Sequence, residues 1–341
     1  MSGKHSILFI ILLILFLLLF VADIITGSVY IPLKDILRLI MEESDGSVEW
    51  MTVHFFRIPR IISATIAGIA LSVSGLQMQT VFRNPLAGPY VLGISSGASL
   101  GVALVVIGFS AYFGANVFNI HSGWLLIIAA WTGSALVLIL ILLVSLRTRD
   151  IMTVLILGIM LGSGISAIIS ILQYFSGESA LKAFVIWTMG SVSSVSREHL
   201  PLLLTGFLPG LLLSLYLIKP SNVALLGEEY STTMGVNVVR YRTLVFISTS
   251  LLTGTVTAFC GPIGFIGIAI PHICRMTFKT SRYGILLPGS ILLGASVMLL
   301  SDIISQVPGS QVILPLNAVT SLIGIPVIIR IILGNRKFLY E

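Results

Sequence analysis

The sequence predicts an all-α membrane protein: about ten transmembrane helices in one bundle, with an inverted repeat inside it. Three observations carry this reading. The 341 residues are 56% hydrophobic and only 9% charged, with a mean hydropathy of +1.08, whereas soluble domains carry about a quarter charged residues. Apolar runs close to the ~20 residues that a spanning helix requires recur along the whole chain. Glycine and proline interrupt those runs at two places, 84–101 and 260–272, which suits a path through a bundle better than a simple row of helices.

The spans are taken in order. Lys4 followed by the run Ile7–Ala22 has the outline of a signal peptide. The run is long for one, continues through Ile24 and Ile25 and lacks a small-x-small cleavage site, so 6–28 is expected to be a retained first span. The following candidates are 60–81, 91–109, 123–145, 151–174, 200–218, 241–260, 264–278, 284–304 and 315–333. The eighth is short and broken by Pro271. No long polar linker divides the chain, so 1–341 is expected to form one membrane domain. The segment 31–50 is mildly amphipathic and acidic towards its end, suiting a helix on the outer surface. The segment 176–199, apolar at Phe184–Met189, is the second long outer connection, and the two together suit a shaped vestibule.

Orientation follows from the positive-inside bias. With both termini in the cytoplasm, that side collects most of the 19 basic residues, among them Lys4, Arg83, Arg147, Arg149, Arg240, Arg242, Arg275, Lys279, Arg336 and Lys337. The outer side keeps Lys34, Arg38, Arg57, Arg60, Lys182 and Arg197. The pI near 9.5 is accordingly read as loop charge facing the cytoplasm, not as a nucleic-acid footprint. Cys260 and Cys274 show no paired spacing, so neither a disulfide framework nor a metal site is expected.

The two interruptions are the segments expected to carry mechanism. Broken backbone at membrane depth is tolerated only where protein buries it or it lines a watery cavity. Paired breaks in two halves point to an inverted repeat around a pathway, and 60–174 and 241–333 each hold four candidate spans.

Six ordered blocks carry a resemblance: "RIPR" (57–60), "SGLQMQTVFRNPLAGPYVLGISSGA" (74–98), "LGEEYSTTMGVNV" (226–238), "GPIGFIGIAIPHICR" (261–275), "LPGSILLGASVMLLSDII" (287–304) and "LPLNAVTSLIGIPV" (314–327). Together they resemble the permease subunits of type II ABC importers, which take up iron-siderophore complexes, haem and cobalamin. The resemblance implies a homodimer of ten-helix subunits in the bacterial cell membrane with a path along the dimer axis. Two cytoplasmic ATP-binding subunits and an extracytoplasmic substrate-binding protein are the implied partners. No G-x-x-x-x-G-K-[ST] phosphate loop occurs in the chain. ATP and Mg are therefore expected on the partner ATPase, with no cofactor and no catalytic residue in this chain.

Site residues follow from the same resemblance. Gly227, Glu228, Glu229, Ser231, Met234 and Gly235 match the loop that docks the ATPase, with Ser231 and Met234 standing where the family usually has Ala and Leu. Small residues permit close approach, and Met234 supplies an adaptable apolar knob. Asn84, Pro85 and Leu86 form the turn that constricts the cytoplasmic end of the path; the second half of that gate would fall near Arg149–Ile151. Arg57 and Arg60 are expected to steer and register the binding protein, the plainer alternative being interfacial anchors. Asp302 and Gln306 mark the pathway or outer rim. Asp302 is a functional candidate as an ionisable group in an apolar run, or else a helix-end carboxylate in water. Gln306 stands where the family often has arginine, and the "E-L-P-x-G" pattern reads Ile313, Leu314, Pro315, Leu316, Asn317.

Residues also speak to two other functional classes. "GISSG" (93–97) matches the nucleophile elbow, but that motif needs a strand-turn-helix setting, and small-residue helix packing explains it better. An ion-coupled secondary transporter would need buried acids in its spans. Asp23 and Asp302 are the acids to consider, and both lie near span ends. The expected function is translocation of an iron complex, ferric siderophore or haem, by alternating access. Cobalamin is the alternative cargo.

Overall fold

The computed structural model describes residues 3–27, 31–41, 46–109, 124–148, 150–307 and 313–334. The described residues form helices and turns, with no strand among them. In chain order the helices are α1 (Gly3–Ile25), α2 (Leu33–Met41), α3 (Ile58–Val81), α4 (Ile94–Ala103), α5 (Trp124–Arg147), α6 (Ile151–Tyr174), α7 (Glu178–Thr188), α8 (Leu200–Tyr216), α9 (Ile218–Ala224), α10 (Glu228–Thr233), α11 (Val238–Cys260), α12 (Ile266–Phe278), α13 (Tyr283–Ser305) and α14 (Leu316–Gly334).

Among the described residues, seven helices are long and apolar enough to cross a membrane: Gly3–Ile25, Val48–Val81, Trp124–Arg147, Ile151–Tyr174, Arg197–Tyr216, Val238–Cys260 and Tyr283–Ser305. The other three predicted spans coincide with shorter apolar helices at Ile94–Gly108, Ile266–Phe278 and Leu316–Arg330. Chain breaks set where two of these begin. A 3-10 turn at Pro89–Leu92 and left-handed Gly93 precede α4, and positive φ at Gly261 and Phe265 precedes α12.

The second span starts earlier than the sequence implied. Helix runs unbroken from Val48, through a π-helical turn at Thr52–Arg57, into α3. Pro59 explains the π turn: it offers no N–H and its ring crowds the carbonyl four residues back, so the helix widens just ahead of it. The predicted surface helix within 31–50 is α2, which buries Ile36 and Leu39 and exposes Leu33, Leu37 and Ile40.

The bundle is built around α3 and α11, buried over 83% and 78% of their spanning windows, against 17% for α1 and 11% for α6. Small residues bring the helix backbones together. A Cβ at Gly68 would strike the Gly294 carbonyl of α13, and one at Gly75 the Gly267 carbonyl of α12. Gly97 and Gly133 do the same for α4 and α5. This is the close packing that small residues allow where lipid removes any hydrophobic drive between helices, and it is what "GISSG" does here.

Two groups of polar side chains inside the bundle pair across helices. Gln77 of α3 donates to Ser248 Oγ at 3.0 Å and accepts from Thr249 Oγ1 at 3.0 Å; Ser248 in turn donates to the Gly210 carbonyl of α8 at 2.8 Å. Arg275 of α12 donates to Gln79 Oε1, and Gln79 donates to the Ile268 carbonyl at 3.1 Å.

Candidate functional site

The predicted site residues gather at two ends of the bundle. At one end, α10 is a single short turn of helix between two glycines whose φ angles, 116° at Gly227 and 81° at Gly235, disfavour any side chain. Ser231 is buried and its hydroxyl donates to the Gly227 carbonyl at 2.5 Å and the Val223 carbonyl at 3.3 Å. That pins the inner face of the turn. Tyr230 and Met234 point outward, 65% and 63% exposed. Glu228 forms an ion pair with the buried Arg242 of α11, which fixes the loop against the bundle. Asn237 caps α11 by accepting from the Arg240 N–H at 2.9 Å. A serine where the resemblance leads one to expect alanine thus has a physical role, closing the turn through its hydroxyl.

The turn after α3 lies against this loop. Asn84 Oδ1 accepts the Leu86 N–H at 2.9 Å and its carbonyl accepts the Ala87 N–H at 3.0 Å, a closed Asx-type turn that leaves Leu86 exposed. Arg83, with φ of 47°, reaches its guanidinium to within 3.7 Å of where a Gly227 side chain would begin. Arg83, Glu228, Ser231 and Arg242 line one small cavity, so the structure brings the predicted docking loop to Arg83, the residue that precedes the predicted gate turn. Of the second predicted gate half, Arg149 lies outside the described residues. Asp150 is the N-cap of α6: its carboxylate accepts from the Thr153 hydroxyl at 2.7 Å and from the Met152 and Thr153 N–H groups at 3.0 Å. These hydrogen bonds, the Thr153 side chain first, hold its carboxyl below the usual carboxylate range.

At the other end stand Arg57, Arg60, Asp302 and Gln306, in a setting the sequence did not anticipate. Arg57 and Arg60 are 2% and 6% exposed, not projected from the rim. They cap the C-terminus of α1, whose last carbonyls have no partner within the helix. Arg57 donates to the Ile24 and Ile25 carbonyls at 2.8 and 3.1 Å, and Arg60 to the Asp23 and Thr26 carbonyls at 2.8 and 2.9 Å. Arg60 also pairs with Asp23 Oδ1 at 3.0 Å and, through Nε, with Asp302 Oδ2 at 2.9 Å. Asp302, 2% exposed, is therefore an interior group and not a helix-end carboxylate in water. Gln306 reaches Ser193 Oγ at 3.4 Å. Arg57, Arg60, Gln306 and Ser193 border a cavity of about 280 Å³ at this end.

Asn317, in the sequence a departure from the family pattern, is a structural tie. Its Oδ1 accepts the Gly264 N–H at 2.9 Å, and its own N–H donates to the Met189 carbonyl at 3.1 Å. It thereby ties the broken backbone at 261–265 to α14 and to the end of α7. Asp23 carried a legible signal, as the one acid in the first apolar run; nothing in the sequence paired it with Arg60.

Comparison with known proteins agrees with both the fold and the blocks. The model of the FecCD transport family matches residues 13–334. The vitamin B12 import system permease protein BtuC of Klebsiella pneumoniae is 34% identical over 295 residues, 84% of this chain and 86% of that protein. The hemin transport system permease protein HmuU of Yersinia pestis is 32% identical over 301 residues, 88% of each. A solved structure assigned as a metal-chelate type ABC transporter in an inward-facing conformation is similar throughout, with a TM-score of 0.81 and 27% identity over 96% of this chain and 99% of that one.

Proposed function

This chain belongs to the FecCD transport family, and from that premise we propose that it is the membrane-spanning subunit of an ATP-driven importer for an iron complex, ferric siderophore or haem. It works with two copies of a separate ATPase, which carry ATP and Mg, and with an extracytoplasmic binding protein that delivers cargo. Ten helices cross the cell membrane in each subunit, the three shorter ones included, with both termini in the cytoplasm and the two broken segments related as halves of an inverted repeat. The whole chain acts as one membrane domain.

The observation that carries this reading is the α10 turn. It offers exposed Tyr230 and Met234 between two left-handed glycines, fastened behind by Ser231 and Glu228 and touching Arg83 next to the Asn84–Leu86 turn. An ATPase that grips this turn has a short mechanical route to the gate. Alternating access follows when nucleotide-driven closure of the ATPases moves α10 and the gate turn with it.

A second copy of the chain is supported by α6. Ser163, Ser166 and Ser170 are exposed along it, each hydroxyl donating to a carbonyl of its own helix, and Gly164 meets open space. A weakly polar, unobstructed face suits the lining of a shared path that holds its cargo loosely. Haem as cargo is favoured by the hemin relative, and the vitamin B12 relative supports cobalamin as the second reading.

The test is reconstitution. The chain co-expressed with its neighbouring ATPase and binding protein should co-purify with the ATPase and take up ferric siderophore or haem into proteoliposomes only with ATP. Uptake of cobalamin alone would shift the cargo to the second reading. Uptake driven by a proton gradient, with no ATPase bound, would overturn the importer reading.

A further inference from the structure

The group of charges at the RIPR end does more than cap a helix. Asp23, Asp302 and Arg60 are 0%, 2% and 6% exposed, and come from α1, α13 and α3. One guanidinium serves both carboxyls, through Nη2 to Asp23 and through Nε to Asp302. Arg57, the next cation, is directed at the Ile24 and Ile25 carbonyls. Asp23 Oδ2 and Asp302 Oδ2 are both buried and receive no hydrogen bond from any described donor, and both carboxyls converge on the one Arg60 guanidinium, at 3.0 and 2.9 Å. Two ionised carboxylates cannot donate to one another, and like charges at this range in a dry site do not both persist. A single proton resolves both problems: it sits on Asp23 Oδ2, donates to Asp302, and leaves one negative charge for Arg60.

We propose that Asp23 and Asp302 form a proton-binding site, occupied in the state described here, that latches α1 onto α3 and α13. Among the described residues, the titratable and charged groups around the pair are Arg60 on α3, Arg57 just before it and the Cys260 thiol at the end of α11; neutral Gln306 caps the C-terminus of α13. The 280 Å³ cavity bordered by Arg57, Arg60 and Gln306, on the face that the proposed orientation places outside, reaches the guanidinium that holds the pair. Removing the proton leaves two carboxylates on one guanidinium and loosens the latch. External acidity therefore sets how firmly α1 is held.

The sign is fixed by linkage. In the unfolded chain both aspartates are ionised above their ordinary range, so the folded protein holds one proton more and its stability falls as pH rises. Thermal unfolding of the purified full chain in detergent, from mildly acidic to mildly alkaline buffer, should show a midpoint that drops with rising pH. In Asp23→Asn the amide keeps a donor at the same position without a titrating proton, and the drop should disappear. Infrared spectra of the wild type near neutrality should contain the carbonyl band of an un-ionised aspartic acid, shifted in heavy water and lost in Asp23→Asn. If Asp23→Asn does not fold, Asp302→Asn supplies the same comparison. Absence of that band, or parallel pH profiles for wild type and variant, would overturn the site. Neither readout depends on transport or on a partner, so its failure would leave the importer reading untouched.

Discussion

Arg60 holds Asp23 and Asp302 at once, with its Nη2 3.0 Å from one carboxyl group and its Nε 2.9 Å from the other. The planar fork of a guanidinium can do this, and the ammonium of a lysine cannot. Arg60→Ala should therefore strand two buried acids and uncap α1. Breaking a buried charge pair costs about 3–5 kcal/mol. A large fall in the unfolding midpoint in detergent is expected, with Arg60→Lys recovering only a small part of it. A midpoint equal to wild type would show that the cluster does not hold α1.

Gly235 sits at φ 81°, and nothing lies within 4 Å of where its Cβ would be. Gly235→Trp should fold, at a backbone cost of roughly 1–2 kcal/mol for a left-handed residue with a side chain, and place an indole on the exposed face of the α10 turn. Membrane insertion should be normal while ATPase co-purification and uptake are lost. Met234→Ala, which removes only the apolar knob, should weaken both without abolishing them. Unimpaired uptake in Gly235→Trp would remove the docking role of this turn.

Asn317 accepts the Gly264 N–H inside the broken segment before α12. Asn317→Ala leaves that N–H without its partner, a loss of about 1–3 kcal/mol where the group stays dry, and frees the 261–265 backbone. Faster hydrogen exchange confined to this segment is expected. Asn317→Asp, which keeps an acceptor at the same position, should restore protection.

Asp150 caps α6 through Thr153 and Met152, and its carboxyl is held below the ordinary value of 3.8. A depressed carboxyl stabilises the fold at neutral pH, and the contribution is lost as pH falls below that ordinary value. The wild type should lose α6 protection in strongly acidic buffer, measured by hydrogen exchange. Asp150→Asn, still able to cap, should lose less of it than Asp150→Ala loses at neutral pH.

Much of the helix placement was legible because lipid imposes its rule locally. Each apolar run had to satisfy its own backbone, so the runs at 124–147, 151–174 and 283–305 fell within a residue or two of their predicted bounds. The π turn at Thr52–Arg57 was not legible: it answers a proline further along the helix, and hydropathy carries no trace of that. The α10 turn could be found because its residues are contiguous and its two glycines mark the required backbone. The neighbourhood of Arg83 and Gly227 could not, since residues far apart in sequence meet there only once α3 and α10 have packed.

By itself the sequence determined that this chain lies in a membrane, where its helices run, where its backbone breaks and which family it resembles. Those properties depend on composition and on contiguous motifs, which local chemistry reads directly. The tertiary structure decided what the charges do. Arg57, Arg60 and Asp302 looked like a rim because each lies near a span end, but α1 and α13 pack against α3 and close over them. A buried charge acquires its meaning from its partners, and here the partners come from three separate helices.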